Sequence, residues 1–251
     1  MSEGWPFPWW IAHRGAGKLA PENTLAAFRL GARHGYTAFE CDVKLSVDGV
    51  PFLLHDATLE RTTNGRGLAG DLSWAELSRL DAGAWHSPAY AGEPPASLQA
   101  VAAFLQANSF WLDLEIKPTP GTDAHTGAAV AESVARLWHG NSHPPLLSSF
   151  QPDALRAARD AVPKLQRALL LDKLPADPLA LASELRCVAV ITDHRLMDAS
   201  LVARLHEAGL RAMVYTVNDA GRAQVLQASG LDGLVTDAVD RLGPGASDQL
   251  R

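Results

Sequence analysis

Glu40 and Asp42 interrupt the otherwise apolar run Ala38 to Leu45. Alternate side chains of an extended strand share a face, so these two carboxylates project together while Cys41 and Val43 project the other way. Two like charges on one face of a strand apolar enough to be interior are costly unless a cation or a basic group lies between them. A divalent metal ion satisfies them economically. The run Trp111-Leu-Asp-Leu-Glu-Ile-Lys117 alternates in the same way. Glu115 and Lys117 share a face near its end, and Asp113 shares that face from an earlier, deeper position expected to be structural. His13 closes the run Trp10 to His13, with Arg14-Gly15 turning out of it, and His55 closes Pro51 to His55. Histidines, paired carboxylates and basic groups at strand ends are the inventory of acid–base chemistry beside a metal ion.

These residues need a frame that brings strand ends to one rim. Nine strand-like runs are legible: 10–13, 38–45, 51–55, 110–116, 146–149, 166–171, 187–191, 211–217 and 233–236. They alternate with helical patterns, the signature of βα units. Gly35, Gly209 and Gly230 each stop a helix before a new strand. Asn23, Asp198 and the Ser73/Glu76 capping box mark helix starts. The second and third runs are joined by Val47-Asp-Gly-Val50, and Asp-Gly is a strong hairpin signal. The third run is therefore an antiparallel excursion, and the remaining eight staves predict an α/β fold, a (β/α)₈ TIM barrel whose strand ends line the active site. An open doubly wound sheet is the alternative, but it calls for a glycine-rich phosphate loop that is not found. An even-numbered hairpin loop centred on Asp48-Gly49 would set Asp42 directly opposite His55, with Cβ atoms roughly 5 Å apart. Between His55 and the helix near Ser97 lies a stretch too long for an ordinary βα loop. It is expected to be an inserted cap, residues 56–96 of a single domain spanning 1–251.

Bulk properties narrow the function classes. A 47% hydrophobic and 20% charged composition is that of an ordinary globular domain. A formal charge of −6 supplies no basic field for nucleic acid, so a bound phosphate must be held locally. The apolar stretch Trp5 to Ala12 is short and broken by prolines, and no run is long enough to insert in a membrane. Cys41 and Cys187 are too few for a disulfide framework, and a reducing cytoplasm fits best. His34, His139 and His206 read as surface or capping residues of helices, and His125, His143 and His194 as loop residues; none has metal-ligand spacing. Trp85, within the insertion, could contact a ligand.

Taken in order, Ile11-Ala-His-Arg-Gly15, Ala20-Pro-Glu-Asn-Thr24, Glu40-Cys-Asp-Val43, Asp48-Gly49, Leu54-His-Asp56, Arg61-Thr-Thr-Asn-Gly65, Leu114-Glu-Ile-Lys117, Leu147-Ser-Ser-Phe150, Val214-Tyr-Thr-Val-Asn218 and Thr236-Asp237 form a pattern. In this the chain resembles the glycerophosphodiester phosphodiesterase family, especially its small cytoplasmic bacterial members associated with glycerophosphate uptake. The resemblance implies a capped TIM barrel with a divalent cation, Mg²⁺ or Ca²⁺, held by Glu40, Asp42 and Glu115. It implies His13 and His55 as the general acid/base pair, Arg14 and Lys117 as the grip on phosphate, and Phe150 and Tyr215 as the border of a glycerol pocket. The implied reaction releases sn-glycerol 3-phosphate and an alcohol from a small-molecule glycerophosphodiester through a cyclic phosphate. Which histidine is acid and which is base stays open, as does assembly, a homo-oligomer included. Two departures, Tyr215 where many relatives carry Trp and the longer Pro95-Ala-Ser-Leu98, touch substrate preference.

Two other readings compete. A related barrel phosphodiesterase acting on lysophospholipid would call for an interfacial apolar helix, and none is found. A non-catalytic barrel binding phosphate esters would not need every catalytic role filled.

Overall fold

Short strands rich in β-branched and aliphatic residues alternate with amphipathic helices, and the chain closes them into a barrel. The computed structural model describes residues 5–244. Its strands are β1 (Trp10–Ala12), β2 (Ala38–Leu45), β3 (Pro51–Leu53), β4 (Trp111–Ile116), β5 (Leu146–Ser149), β6 (Arg167–Leu171), β7 (Ala189–Asp193), β8 (Arg211–Tyr215) and β9 (Gly233–Thr236). The helices are α1 (Leu25–Arg33), α2 (Trp74–Leu77), α3 (Leu98–Ala107), α4 (Asp123–Leu137), α5 (Pro152–Ala161), α6 (Pro178–Glu184), α7 (Ala199–Glu207) and α8 (Ala220–Ala228). The sheet order is β1-β9-β8-β7-β6-β5-β4-β2-β3, and a further β1–β2 pairing closes it. All pairings among the eight staves are parallel, and only β3 runs antiparallel, against β2. This is a (β/α)₈ barrel with one hairpin excursion.

The alternation along each stave decides what fills the barrel. Its lower interior is apolar: Ile11, Ala38, Leu146, Ala168, Ala189, Met213 and Val235 pack with Phe7. On β2 the inward face then changes character, from Ala38 to Glu40 and Asp42, towards the C-terminal ends. The outward faces of the staves carry Phe39, Cys41, Leu112 and Leu114, which pack under the helices. Apolar surface buried in this second layer stabilises the fold by about 25 cal/mol per Å².

Punctuation follows the sequence with two exceptions. Gly35, Gly209 and Gly230 all have positive φ at helix ends. Asp198 caps α7 by accepting from the Leu201 N–H, and Glu76 accepts from both the N–H and the hydroxyl of Ser73 ahead of α2. At α1 the cap is Thr24, whose hydroxyl oxygen accepts from the Ala27 N–H, rather than Asn23. Asn23 is diverted to the site described below. His125 lies inside α4 rather than in a loop.

The hairpin register also differs from the even-loop expectation. Val43 pairs with Leu53 and Lys44 with Phe52, and the Leu54 N–H donates to the Asp42 carbonyl. Asp42 therefore faces Leu54, not His55. The cause is Gly49, which takes φ of 76° and closes a three-residue loop in place of a four-residue one. Strand β3 ends at Leu53, and His55 lies in the turn beyond it.

The stretch from 56 to 96 holds α2 and two short 3₁₀ turns, Ala69–Asp71 and Pro88–Tyr90. Leu59, Ala69 and Leu77 form a small core with Phe52 and Leu54 of the hairpin. Among the described residues, no helix is long and apolar enough to cross a membrane.

Candidate active site

Strand register sets the acidic cluster. In the β2–β4 ladder Asp42 is the Cα partner of Glu115, and Glu40 of Asp113, so four inward carboxylates occupy adjacent positions on two staves. Glu40, Asp42 and Glu115 are buried, and one oxygen from each lies within 4.8 Å of the others. Burial, followed by the charges of Asp42 and Glu115, pushes the Glu40 carboxyl well above the usual carboxylate range. Burial and the Asp42 charge push Glu115 up to about 7. Burial opposes ionisation of Asp42 too, but Arg14, Lys117, His55 and the Asn23 amide outweigh it and hold its pKa well below the usual range. Asn23 reaches Asp42 from a left-handed backbone with φ of 60°, donating its amide to Oδ2 at 2.8 Å.

Two basic side chains meet the acids. Lys117 Nζ is 2.9 Å from Glu115 Oε1 and 3.4 Å from Asp42 Oδ1. Arg14 places Nε 3.3 Å from Asp42 Oδ2, and its backbone N–H donates to Glu40. Two cations against three carboxylates leave the cluster short of positive charge. Asp42 Oδ1 is buried and accepts no hydrogen bond. Oxygens bound to one Mg²⁺ or Ca²⁺, at about 2.1 or 2.4 Å from the ion, lie within about 5 Å of each other. The all-oxygen donor set, its spacing and the orphaned Asp42 oxygen therefore fit a hard divalent cation.

The two histidines enter from different elements, His13 directly after β1 and His55 from the turn beyond β3, and each is anchored by a carboxylate. His13 Nδ1 lies 2.6 Å from Asp237 Oδ1, and His55 Nδ1 lies 2.7 Å from Asp56 Oδ1. A carboxylate only accepts, so each Nδ1 carries the hydrogen and each Nε2 is left for chemistry. His13 Nε2 is 3.7 Å from Glu40, which ties that ring to the acidic cluster. Burial lowers the His55 pKa, partly offset by Asp42, and so favours its neutral form.

Eight of the nine expected site residues line one cavity of about 300 Å³: His13, Arg14, Glu40, His55, Glu115, Lys117, Phe150 and Tyr215. Asp42, 1% exposed, serves them from within the wall. Phe150 and Tyr215 meet edge to face with ring centroids 5.6 Å apart, and Lys117 Nζ stands 5.7 Å from the Phe150 ring centre. Leu170, Ile191 and Val235 make the rest of the wall apolar. The cavity thus has one charged side and one greasy side. Asp113 takes the structural place expected of it, accepting from the Ser148 hydroxyl at 2.6 Å, though it also contributes to the cavity floor. Trp85 instead donates its indole N–H to the Ala82 carbonyl and is not part of the cavity lining.

Several supporting residues escaped sequence reasoning. Asp237 and Asp56 orient the histidines, Glu22 accepts from Arg14, and Arg61 bridges Glu22 to Asp56. Lys44 is 1% exposed and donates Nζ to the Lys117 carbonyl; burial pushes its pKa down to about 8. Lys44 shares the parity of Glu40 and Asp42, so strand alternation alone could have found it. The others depend on long-range or turn geometry.

Comparison with known proteins identifies the family. Residues 13–241 match the model of the glycerophosphoryl diester phosphodiesterase family. A glycerophosphodiester phosphodiesterase of Caldanaerobacter subterraneus is 30% identical over 236 residues, covering 92% of this chain and 95% of that one. YhdW of Bacillus subtilis is 32% identical, with 92% and 94% covered. A phosphodiesterase of Oleispira antarctica, solved in complex with the product sn-glycerol-3-phosphate, superposes with a TM-score of 0.90 at 34% identity, covering 96% of this chain and 97% of the other. The chain belongs to the glycerophosphoryl diester phosphodiesterase family, and it is an enzyme, a glycerophosphodiester phosphodiesterase.

Proposed function

We propose that this enzyme hydrolyses glycerophosphodiesters to sn-glycerol 3-phosphate and an alcohol by two-histidine acid/base catalysis beside a divalent cation. The observation that carries the reading is the meeting, at one cavity, of two carboxylate-anchored imidazoles with three clustered carboxylates. Glu40, Asp42 and Glu115 would hold the ion, Mg²⁺ or Ca²⁺. When bound, it would neutralise charge on the non-bridging phosphate oxygens.

The chain's own groups do the rest. Arg14 and Lys117 hold the phosphate between them, and the apolar side bounded by Phe150 and Tyr215 receives the glycerol carbons. One histidine accepts the proton of the substrate's 2-hydroxyl as that oxygen attacks phosphorus. The bond to the alcohol oxygen breaks, and the other histidine gives that oxygen its proton. The resulting 2,3-cyclic phosphate is opened by water with the histidine roles reversed. Phosphorus keeps its bond to the 3-oxygen, and sn-glycerol 3-phosphate leaves. No protein nucleophile is required, and Ser148, which lines the cavity, spends its hydroxyl hydrogen on Asp113. Residues 56–96, carrying His55's partner Asp56, act as a cap over this chemistry.

The test is turnover of glycerophosphocholine and of lysophosphatidylcholine by purified protein, with enzymatic detection of sn-glycerol 3-phosphate and choline. Release of both products from glycerophosphocholine supports the reading. Turnover of the lysolipid alone overturns the substrate assignment.

A further inference from the structure

The two arms of the site are joined by a single side chain outside it. Arg61 donates Nε and one terminal nitrogen to Asp56, at 2.6 and 3.0 Å, and both terminal nitrogens to Glu22, at 2.8 Å each. The fork is thus engaged by two carboxylates at once, a geometry that only a planar guanidinium can satisfy. Each carboxylate has a second client. Asp56 Oδ1 anchors His55 Nδ1, and Glu22 Oε1 accepts from Arg14 at 2.8 Å. From His55 to Arg14 the chain of contacts is continuous, and Arg61 is its midpoint.

An ordinary surface ion pair is the competing explanation, since the Arg61 side chain is 44% exposed. Two observations favour the other. Exposed pairs matter chiefly when bidentate or networked, and this one is both. The turn that carries Arg61 is also fixed: Leu59, Thr62 and Thr63 are buried, and the Thr63 hydroxyl donates to the Leu59 carbonyl at 2.7 Å and accepts from the Gly65 N–H at 2.9 Å. The guanidinium is therefore presented from a rigid base.

We propose that Arg61 is a positioning residue for the reaction, coupling the orientation of His55, through Asp56, to that of Arg14, through Glu22. The inference deepens the two-histidine reading above and rests on it. Arg61 touches neither substrate nor reacting atoms; its effect passes through the two carboxylates.

Steady-state kinetics on glycerophosphocholine with Arg61→Ala, Arg61→Lys and, as a control, His55→Ala tests it. Loss of an outer partner typically costs about 10- to 100-fold in activity, and that range is expected in kcat for Arg61→Ala, with KM changed by less than about fivefold. The thermal midpoint should stay near that of the wild type, because partly exposed ion pairs contribute little to stability. Millimolar guanidinium ion should restore part of the Arg61→Ala activity, and Arg61→Lys should stay impaired because an ammonium cannot fork to both carboxylates. Wild-type kcat in Arg61→Ala overturns the inference. So does a loss that follows a fall in thermal midpoint and that guanidinium does not rescue. If His55→Ala keeps full activity, the acid/base reading fails, whatever Arg61 does; if His55→Ala is inactive and Arg61→Ala fully active, only the coupling fails.

Discussion

Replacing Asp237 with asparagine should disable His13 without disturbing the barrel. The Asp237 Oδ2 accepts from the Asn218 amide nitrogen at 3.1 Å. That amide cannot turn over, because its carbonyl oxygen is committed to the Asp237 N–H at 2.8 Å and the Thr236 hydroxyl at 3.2 Å. An asparagine at 237 must therefore point its own oxygen at Asn218 and its NH₂ at His13. A donor facing Nδ1 forces the imidazole hydrogen onto Nε2, the wrong tautomer for a base acting there, and removes the negative charge that would stabilise the imidazolium. Loss of one charge-assisted hydrogen bond costs about 1.5–3 kcal/mol. At 1.36 kcal/mol per tenfold this is roughly 10- to 150-fold. Inverting the tautomer adds to it, and the same exchange in a serine-protease triad costs about 10⁴ in kcat. The Asp237→Asn enzyme should therefore lose about 10²- to 10⁴-fold in kcat. The assay is coupled detection of sn-glycerol 3-phosphate, with circular dichroism to confirm an unchanged fold. Retention of more than about a third of wild-type kcat would refute the reasoning.

Three further predictions follow from the same structure. A chelator should abolish turnover reversibly, and returning Mg²⁺ or Ca²⁺ at about 100 times its dissociation constant should stabilise the protein by about 2.7 kcal/mol, read as a raised thermal midpoint; full turnover after chelation would contradict this. Burial raises the Asp113 pKa from 3.8 to about 7, despite the Ser148 hydrogen bond. Below pH 4 both folded and unfolded forms hold the proton, but between about 4 and 7 the unfolded form releases it first, so stability falls as pH rises through that window. Asp113→Asn should thus gain on the metal-free wild type between pH 4 and pH 8, by an amount on the order of three units at 1.36 kcal/mol each, or roughly 4 kcal/mol; a gain of equal size at both pH values in urea titrations would sink the idea. Gly31 of α1 has no room for a side chain, since a Cβ there would lie 2.1 Å from the Gly15 carbonyl oxygen. Gly31→Ala should cost about 1–3 kcal/mol in urea midpoint and displace the Arg14–Gly15 turn with a fall in activity; an unchanged midpoint would show that the contact is not tight.

Strand periodicity makes much of the site legible in the sequence. The parity of Glu40 and Asp42, and of Glu115 and Lys117, follows from a period of two that no tertiary context alters. Turn geometry was less legible. Val47-Asp-Gly-Val50 announces a hairpin, but whether Gly49 ends a three-residue or a four-residue loop changes the register by one, and Asp42 faces Leu54 as a result. His55 still reaches the cavity because the strand stops before it. The partners of the histidines divide along similar lines. Asp56 adjoins its histidine, whereas Asp237 is 224 residues from His13 and meets it only because barrel closure sets β9 beside β1. The Thr24 cap shows a polar residue chosen by tertiary demand: Asn23 has the right chemistry to start α1, yet it is spent on Asp42.

The central claim, that one ring of residues binds the ion and the phosphate together, is tested most directly by a crystal structure with Mn²⁺ and sn-glycerol 3-phosphate, the ion located by its anomalous scattering. The account predicts one ion bounded by the carboxylates of Glu40, Asp42 and Glu115, with the phosphate between Arg14 and Lys117 and the glycerol carbons against Phe150 and Tyr215. An ion held elsewhere, or a phosphate outside the reach of His13 and His55, would contradict it.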